Sequence, residues 1–222
     1  MQKVYYTRMR SLPLFLTLAI AAIANAKFQQ NQPTTALKTS SLESHEGLTI
    51  SARPWTDAAQ YREAFPKNSP FSAGVLAIQV IFRNDSDESV KITIDRIRMS
   101  FQISDENRQE LQPLRANEVA DAVLKPGAKD PSTRKRLPLP VGIPGGGNDK
   151  KWTELQAAAQ NAAVPTGVVA SHSNVKGLLY FDLRGQFDLL STAHLYVPEV
   201  TVMKDNRALT FFEIDLSRPN GN

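Results

Sequence analysis

Cysteine is absent from all 222 residues. That absence excludes disulfide scaffolds, zinc–thiolate sites, thiol catalysis and lipid attachment at a cleavage-site cysteine. Histidine is scarce, with only His45, His172 and His194, and no two of them share the HxH or HExxH spacing of a metal site. Charge of one sign is also lacking. Of 26 basic residues, Lys3, Arg8 and Arg10 lie at the extreme amino terminus, which leaves 23 bases against 22 acids in the rest of the chain. A net charge near +1 gives no electrostatic case for binding nucleic acid.

The one long apolar stretch is at the start. A basic segment, an apolar core from Leu12 to Ile23 and the small residues Ala24-Asn25-Ala26 follow in the order of a secretory signal peptide. The core is too short to span a bilayer comfortably, which takes roughly 20 residues. Cleavage is expected after Ala26, with Ala24 and Ala26 as the small residues read by the peptidase. The processed chain would then be periplasmic or secreted, without a transmembrane segment and without a lipid anchor. A domain of this size can bury enough surface to stand without disulfides.

Residues 27–46 are rich in Gln, Asn, Ser and Thr and show no apolar period, so they read as a flexible linker. A single domain is expected over 47–218, with 219–222 as a frayed tail. Within it, residues 125–149 hold Pro126, Gly127, Pro131, Pro138, Pro140, Gly142, Pro144 and Gly145-Gly146-Gly147. That composition predicts a long loop. Short helices are expected over 55–65, 117–124 and 150–163, the first with Thr56 or Asp57 as N-cap and Pro66 as its stop.

The rest alternates with period two. Leu76, Ile78, Val80 and Phe82 share one face, and Val90, Ile92 and Ile94 continue it. The parity then flips to Ile97, Met99, Phe101 and Ile103, which demands a bulge or bend near Asp95-Arg96. Later strands are expected over 167–172, 175–183, 193–203 and 207–216, with Pro198 interrupting the third. The fold class is therefore all-β: an immunoglobulin-like antiparallel sandwich with two or three short helical insertions.

The run Val175-Lys176-Gly177-Leu178-Leu179-Tyr180-Phe181-Asp182, with Leu195-Tyr196-Val197-Pro198 and Phe211-Phe212-Glu213-Ile214 after it, resembles exported bacterial immunoglobulin-like proteins of uncharacterised function. The resemblance covers about half of the chain. It implies an envelope-associated, non-enzymatic domain and brings no functional residues with it.

Five candidate sites present themselves. Gly142-Ile143-Pro144-Gly145-Gly146-Gly147 has P-loop glycine spacing before a helix, but Asn148 and Asp149 stand where Lys and Ser/Thr are required. The Asn84-Asp85-Ser86-Asp87-Glu88 run has carboxylates for calcium but lacks the glycine and the distant bidentate Glu of an EF loop. The histidines offer no nucleophile-elbow G-x-S-x-G partner, although a dispersed Ser-His-Asp triad needs no sequence adjacency. Lys129, Arg134, Lys135 and Arg136 form a basic loop that an anionic surface would attract, or that simply stays solvated. Tyr180, Tyr196 and Phe211 point away from the core set of their strands. They would form an aromatic surface for a protein or glycan unless a helix, such as 150–163, covers them.

These features lead to an exported, non-catalytic interaction module of the bacterial envelope, with an unknown protein or glycan as partner and no cofactor. The alternatives are an envelope assembly protein that works by strand pairing and an unrecognised periplasmic hydrolase.

Overall fold

The computed structural model describes residues 41–104, 107–125 and 148–217. It is mostly β, with twelve strands in three antiparallel sheets. The first sheet has the order β1-β2-β3-β8, from Ser41–His45, Leu48–Pro54, Val75–Asn84 and Ser173–Asp182. The second, β11-β10-β4-β7, comprises Arg207–Ala208, Val200–Val202, Val90–Ile92 and Val168–Val169. The third, β12-β9-β5-β6, comprises Phe212–Asp215, Ala193–Val197, Arg98–Ser104 and Asn107–Leu111. Among the described residues three α-helices accompany the sheets: α1 (Ala58–Tyr61), α2 (Ala116–Leu124) and α3 (Asn148–Ala162).

Alternation divides the first sheet into two buried faces. Leu76, Ile78, Val80 and Phe82 of β3, with Leu179 and Phe181 of β8, share one core with Ile92, Met99, Leu195, Val200 and Ile214 of the other sheets. Val75 and Ala77, with Leu178 and Tyr180, join a second core with Tyr61, Phe65, Val119, Leu155 and Ala159 of the helical segments. The helices therefore cover the face of the first sheet that the other two leave open. Among the described residues no helix is long and apolar enough to cross a membrane.

The parity flip has a structural cause. A 3-10 turn at Ile94–Arg96 separates β4 from β5 and passes the chain from the second sheet to the third. The partner strand makes the same transfer between β9 and β10, across Pro198-Glu199. Ile92 pairs with Val200 and Arg98 with Tyr196, so five residues on one side of the joint face three on the other. Buried positions change from even to odd in one strand (Ile92, then Ile97 and Met99). They change from odd to even in its partner (Leu195 and Val197, then Val200). An antiparallel pair can keep one continuous core through a bend only if both members switch together.

Two expectations are corrected at the domain's start. Residues 41–45 are not linker but β1, paired with β2 from Ser41↔Ala52 to His45↔Leu48. This strand is polar, and Leu42 is exposed, so hydrophobic period gave no sign of it. Its order comes from the main-chain ladder and from the ring of His45, edge-on against Phe212 at a centroid distance of 3.8 Å. The helix expected over 55–65 shortens to α1, whose N-cap is Asp57 in a capping box with Gln60.

After Pro54 the Trp55 amide still bonds to the Ala77 carbonyl of β3, and beyond that bond the Tyr61 hydroxyl fills the gap. It accepts from the Ala77 amide at 2.8 Å and donates toward the carbonyls of Trp55 (3.1 Å) and Val75 (3.3 Å). A phenol thus takes the place of a ladder bond, as buried backbone groups require. Burial pushes the Tyr61 phenol up to about 12 and raises that of Tyr180 as well. Unfolded tyrosine ionises near 10. A raised folded value means stability that is intact below pH 10 and lost as pH climbs toward 12, by about 2–3 kcal/mol for Tyr61. Absorbance of ionised phenol followed together with circular dichroism checks this. The Tyr61 and Tyr180 signals should appear only with unfolding.

Candidate functional site: the outer face of the third sheet

Alternation along β9 buries Ala193, Leu195 and Val197 and turns His194 and Tyr196 outward. Register then fixes their neighbours. Tyr196 lies between Glu213 of β12 and Arg98 of β5, and His194 lies between Asp215 and Ser100. Phe211, just before β12, is 48% exposed, and its ring meets that of Tyr196 at 5.4 Å with a 52° tilt.

Arg108 of β6 lies across this face. Its Nη2 donates to Ser100 Oγ at 2.6 Å and to Glu213 Oε1 at 2.8 Å. The guanidinium covers Ser100, which is 1% exposed. A groove of about 310 Å3 opens beside it, lined by Gln102, Arg108, Thr192, His194 and Glu213 among others. The face thus combines an exposed aromatic pair with planar hydrogen-bonding groups, a combination suited to recognition.

Ser100, His194 and Asp215 stand in one cross-strand row, which brings together the residue types of a hydrolytic relay. The Ser100 hydroxyl accepts from Arg108, and among the described residues none of its hydrogen bonds goes to His194.

Of the three aromatics expected on one surface, only two meet. Tyr180 belongs to the first sheet and is 2% exposed. Its hydroxyl donates to the Ala159 carbonyl of α3 at 3.1 Å, and Phe65 packs against its ring. The strand parity of Tyr180 is as expected, but its face is covered by helix. Tyr196 and Phe211 remain outside. Arg98 and Arg108 had no signal of their own in the sequence, and nothing there placed them beside His194 and Glu213, because only register across four strands assembles the group.

The acidic turn at 84–88 is committed elsewhere. Asp85 pairs with Arg83 (2.9 Å), Asp87 with His172 (2.8 Å) and Glu88 with Lys204 (3.0 Å). The Glu88 carboxylate holds the Lys204 ammonium above its usual range. The carboxylates thus diverge toward three separate partners, and among the described residues no cluster of His, Asp and Glu is arranged to hold a metal. Glu46 accepts from Arg207 and from the Thr210 amide and hydroxyl, bonds that hold its carboxyl below the usual range. The cleavage residues Ala24 and Ala26, the basic loop of Lys129, Arg134, Lys135 and Arg136, and the glycine run at 142–147 lie outside the described residues.

No family model matches the chain. No curated protein matches it either. Among solved structures it is similar to a functionally unknown protein from Listeria monocytogenes EGD-e, at 13% identity over 72% of each chain, with a TM-score of 0.33. Likeness at that level carries no argument about fold family or function.

Proposed function

We propose that this chain is an exported, non-catalytic interaction module of a bacterial envelope, built as an immunoglobulin-like β-sandwich. It would bind a partner protein or glycan through the outer face of the third sheet. The observation that carries this reading is the Tyr196–Phe211 pair, in ring contact while Phe211 stays 48% exposed. Exposed aromatic surface costs solubility unless it is used, and rings already in contact lose little freedom on binding. Arg108 and Glu213 beside the pair offer hydrogen bonds for orientation. The amino-terminal leader supports a periplasmic or secreted location, and the resemblance of the 175–182 strand to exported immunoglobulin-like proteins supports the same class.

The experiment has two arms. Mass spectrometry of the protein from periplasmic and culture fractions should find an amino terminus at Lys27. Binding to peptidoglycan sacculi, a glycan array and solubilised envelope proteins is then compared between wild type and the Tyr196→Ala/Phe211→Ala double variant. Wild type should be retained by one of the three, with at least about tenfold weaker retention of the double variant, the equivalent of about 1.4 kcal/mol. Equal retention of both forms, or retention of neither, sinks the proposal.

A further inference from the structure

The edges of the three sheets are managed unequally. Beside β8, the Leu114 amide bonds to the Tyr180 carbonyl (2.7 Å) and the Val164 amide to the Leu178 carbonyl (3.3 Å). β1 and β12 close on each other, with the Glu43 carboxylate capping the Glu213 amide and His45 packed on Phe212. β7 and β11 are two residues long. β6 differs. It spans Asn107–Leu111, pairs only with β5, and is exposed from 107 to 110. It is the one five-residue edge without cover among the described residues.

The direction of its free groups follows from its neighbour. The Gln102 amide donates to Thr192 Oγ1 (3.2 Å), and its carbonyl accepts from the same hydroxyl (3.1 Å). Both main-chain groups of Gln102 therefore point away from β6. Its cross-strand partner is Arg108, so the amide and carbonyl of Arg108 point outward from the sheet, and by alternation so do those of Glu110.

We infer that β6 pairs antiparallel with β6 of a second copy, about a twofold axis through Gln109. In that register Arg108 of each copy faces Glu110 of the other. Each such pair exchanges two main-chain hydrogen bonds and sets opposite charges side by side. The strand is thus complementary to itself. A like-charged pair at these positions would have repelled a second copy, which is how edges are commonly protected. Among the described residues Glu110 has no ion pair, and Arg108, though paired with Glu213, donates only from Nη2, which leaves its Nε and Nη1 for a second carboxylate. The axis is perpendicular to the sheet, so both Tyr196–Phe211 pairs come to the same side of one eight-stranded surface. The inference rests on the sheet edge and not on the proposed aromatic site, so either can fail alone.

Sedimentation velocity of the protein expressed from its full-length coding sequence tests it. Wild type should shift from one-chain to two-chain mass between about 10 µM and about 1 mM. Glu110→Arg and Arg108→Glu should each dimerise about tenfold more weakly or worse, because each sets like charges opposite one another. Their 1:1 mixture should recover dimer, since the variants complement each other across the axis. Amide exchange of wild type supplies a readout independent of any variant: the Arg108 and Glu110 amides should gain protection as concentration rises. Monomeric wild type at the upper concentration, variants that dimerise as wild type does, a mixture without recovery, or exchange insensitive to concentration would each overturn the inference.

Discussion

Asn84→Asp is expected to destabilise the protein by about 3–5 kcal/mol at neutral pH, the range for a buried charge left without a partner. Asn84 ends β3 with no solvent exposure. Its Nδ2 lies 2.7 Å from the Glu88 carbonyl, 3.1 Å from that of Ala170 and 3.2 Å from that of Val169. Its Oδ1 accepts from the Ser86 amide and hydroxyl. One side chain thus closes the turn into β4 and anchors the segment after β7. Aspartate has the same shape but turns the donor into an acceptor facing three carbonyl oxygens. When protonated, the new carboxyl can donate to one of them; when ionised, it repels all three. Its folded pKa is therefore raised above the unfolded value near 3.9, so the shortfall is smallest below that value and grows as pH rises through the folded one. Urea unfolding at pH 4 and pH 7 should show the gap to wild type widening with pH. For Asn84→Ala, which brings no charge, the loss should be about 2–3 kcal/mol and the same at both.

Gly177→Val is expected to cost about 3 kcal/mol or more, at or beyond the upper end of ordinary overpacking. A Cβ built at Gly177 would sit 2.4 Å from the Val164 backbone nitrogen and 2.5 Å from the Val164 Cα. These are main-chain atoms of the segment that leaves α3 and bonds to Leu178, so no rotamer change relieves the contact. Either β8 or the end of α3 must move, and Tyr180 and Ala159 between them would lose their hydrogen bond. Gly177→Ala tests the same contact with one carbon and should fall between wild type and valine. Thermal unfolding of the three proteins gives the order; a valine variant as stable as wild type would show that α3 is free to shift.

Both residues show where sequence reading stops. In Asn84-Asp85-Ser86-Asp87 the sequence advertises a turn, and a turn is there, yet nothing local reveals that Asn84 points inward to serve three carbonyls. Gly177 stands in a run of apolar alternation, and its need for close approach depends on a segment more than ten residues upstream. Strands β3, β8 and β9 were legible because the apolar residues of their main-core face recur at every second position. The bend before β5 was legible because alternation cannot change parity on a straight strand. β1 and β6 show no apolar alternation of their own; their ladders are supported by single side chains, His45 on Phe212 and Arg108 on Glu213. The open question over Tyr180 has the same origin: period two assigns a face but not what lies against it, and only the structure shows that α3 takes that place. The Tyr196–Phe211 contact was half visible, as outward parity, while the groove beside it exists only through cross-strand register.

The double switch of β4–β5 and β9–β10 has a consequence for how this chain can change length. Five residues oppose three at the joint, and each side carries its own reversal of facing. A lone one-residue deletion at Pro198-Glu199 would turn β10 over, presenting Val200 and Val202 to water and forcing Thr201 inward. Compensation can come only from a matching edit more than a hundred positions away in the other strand, or from a fresh bulge. Insertions can accumulate in the distant connections, but at this corner the two segments are bound to a common count.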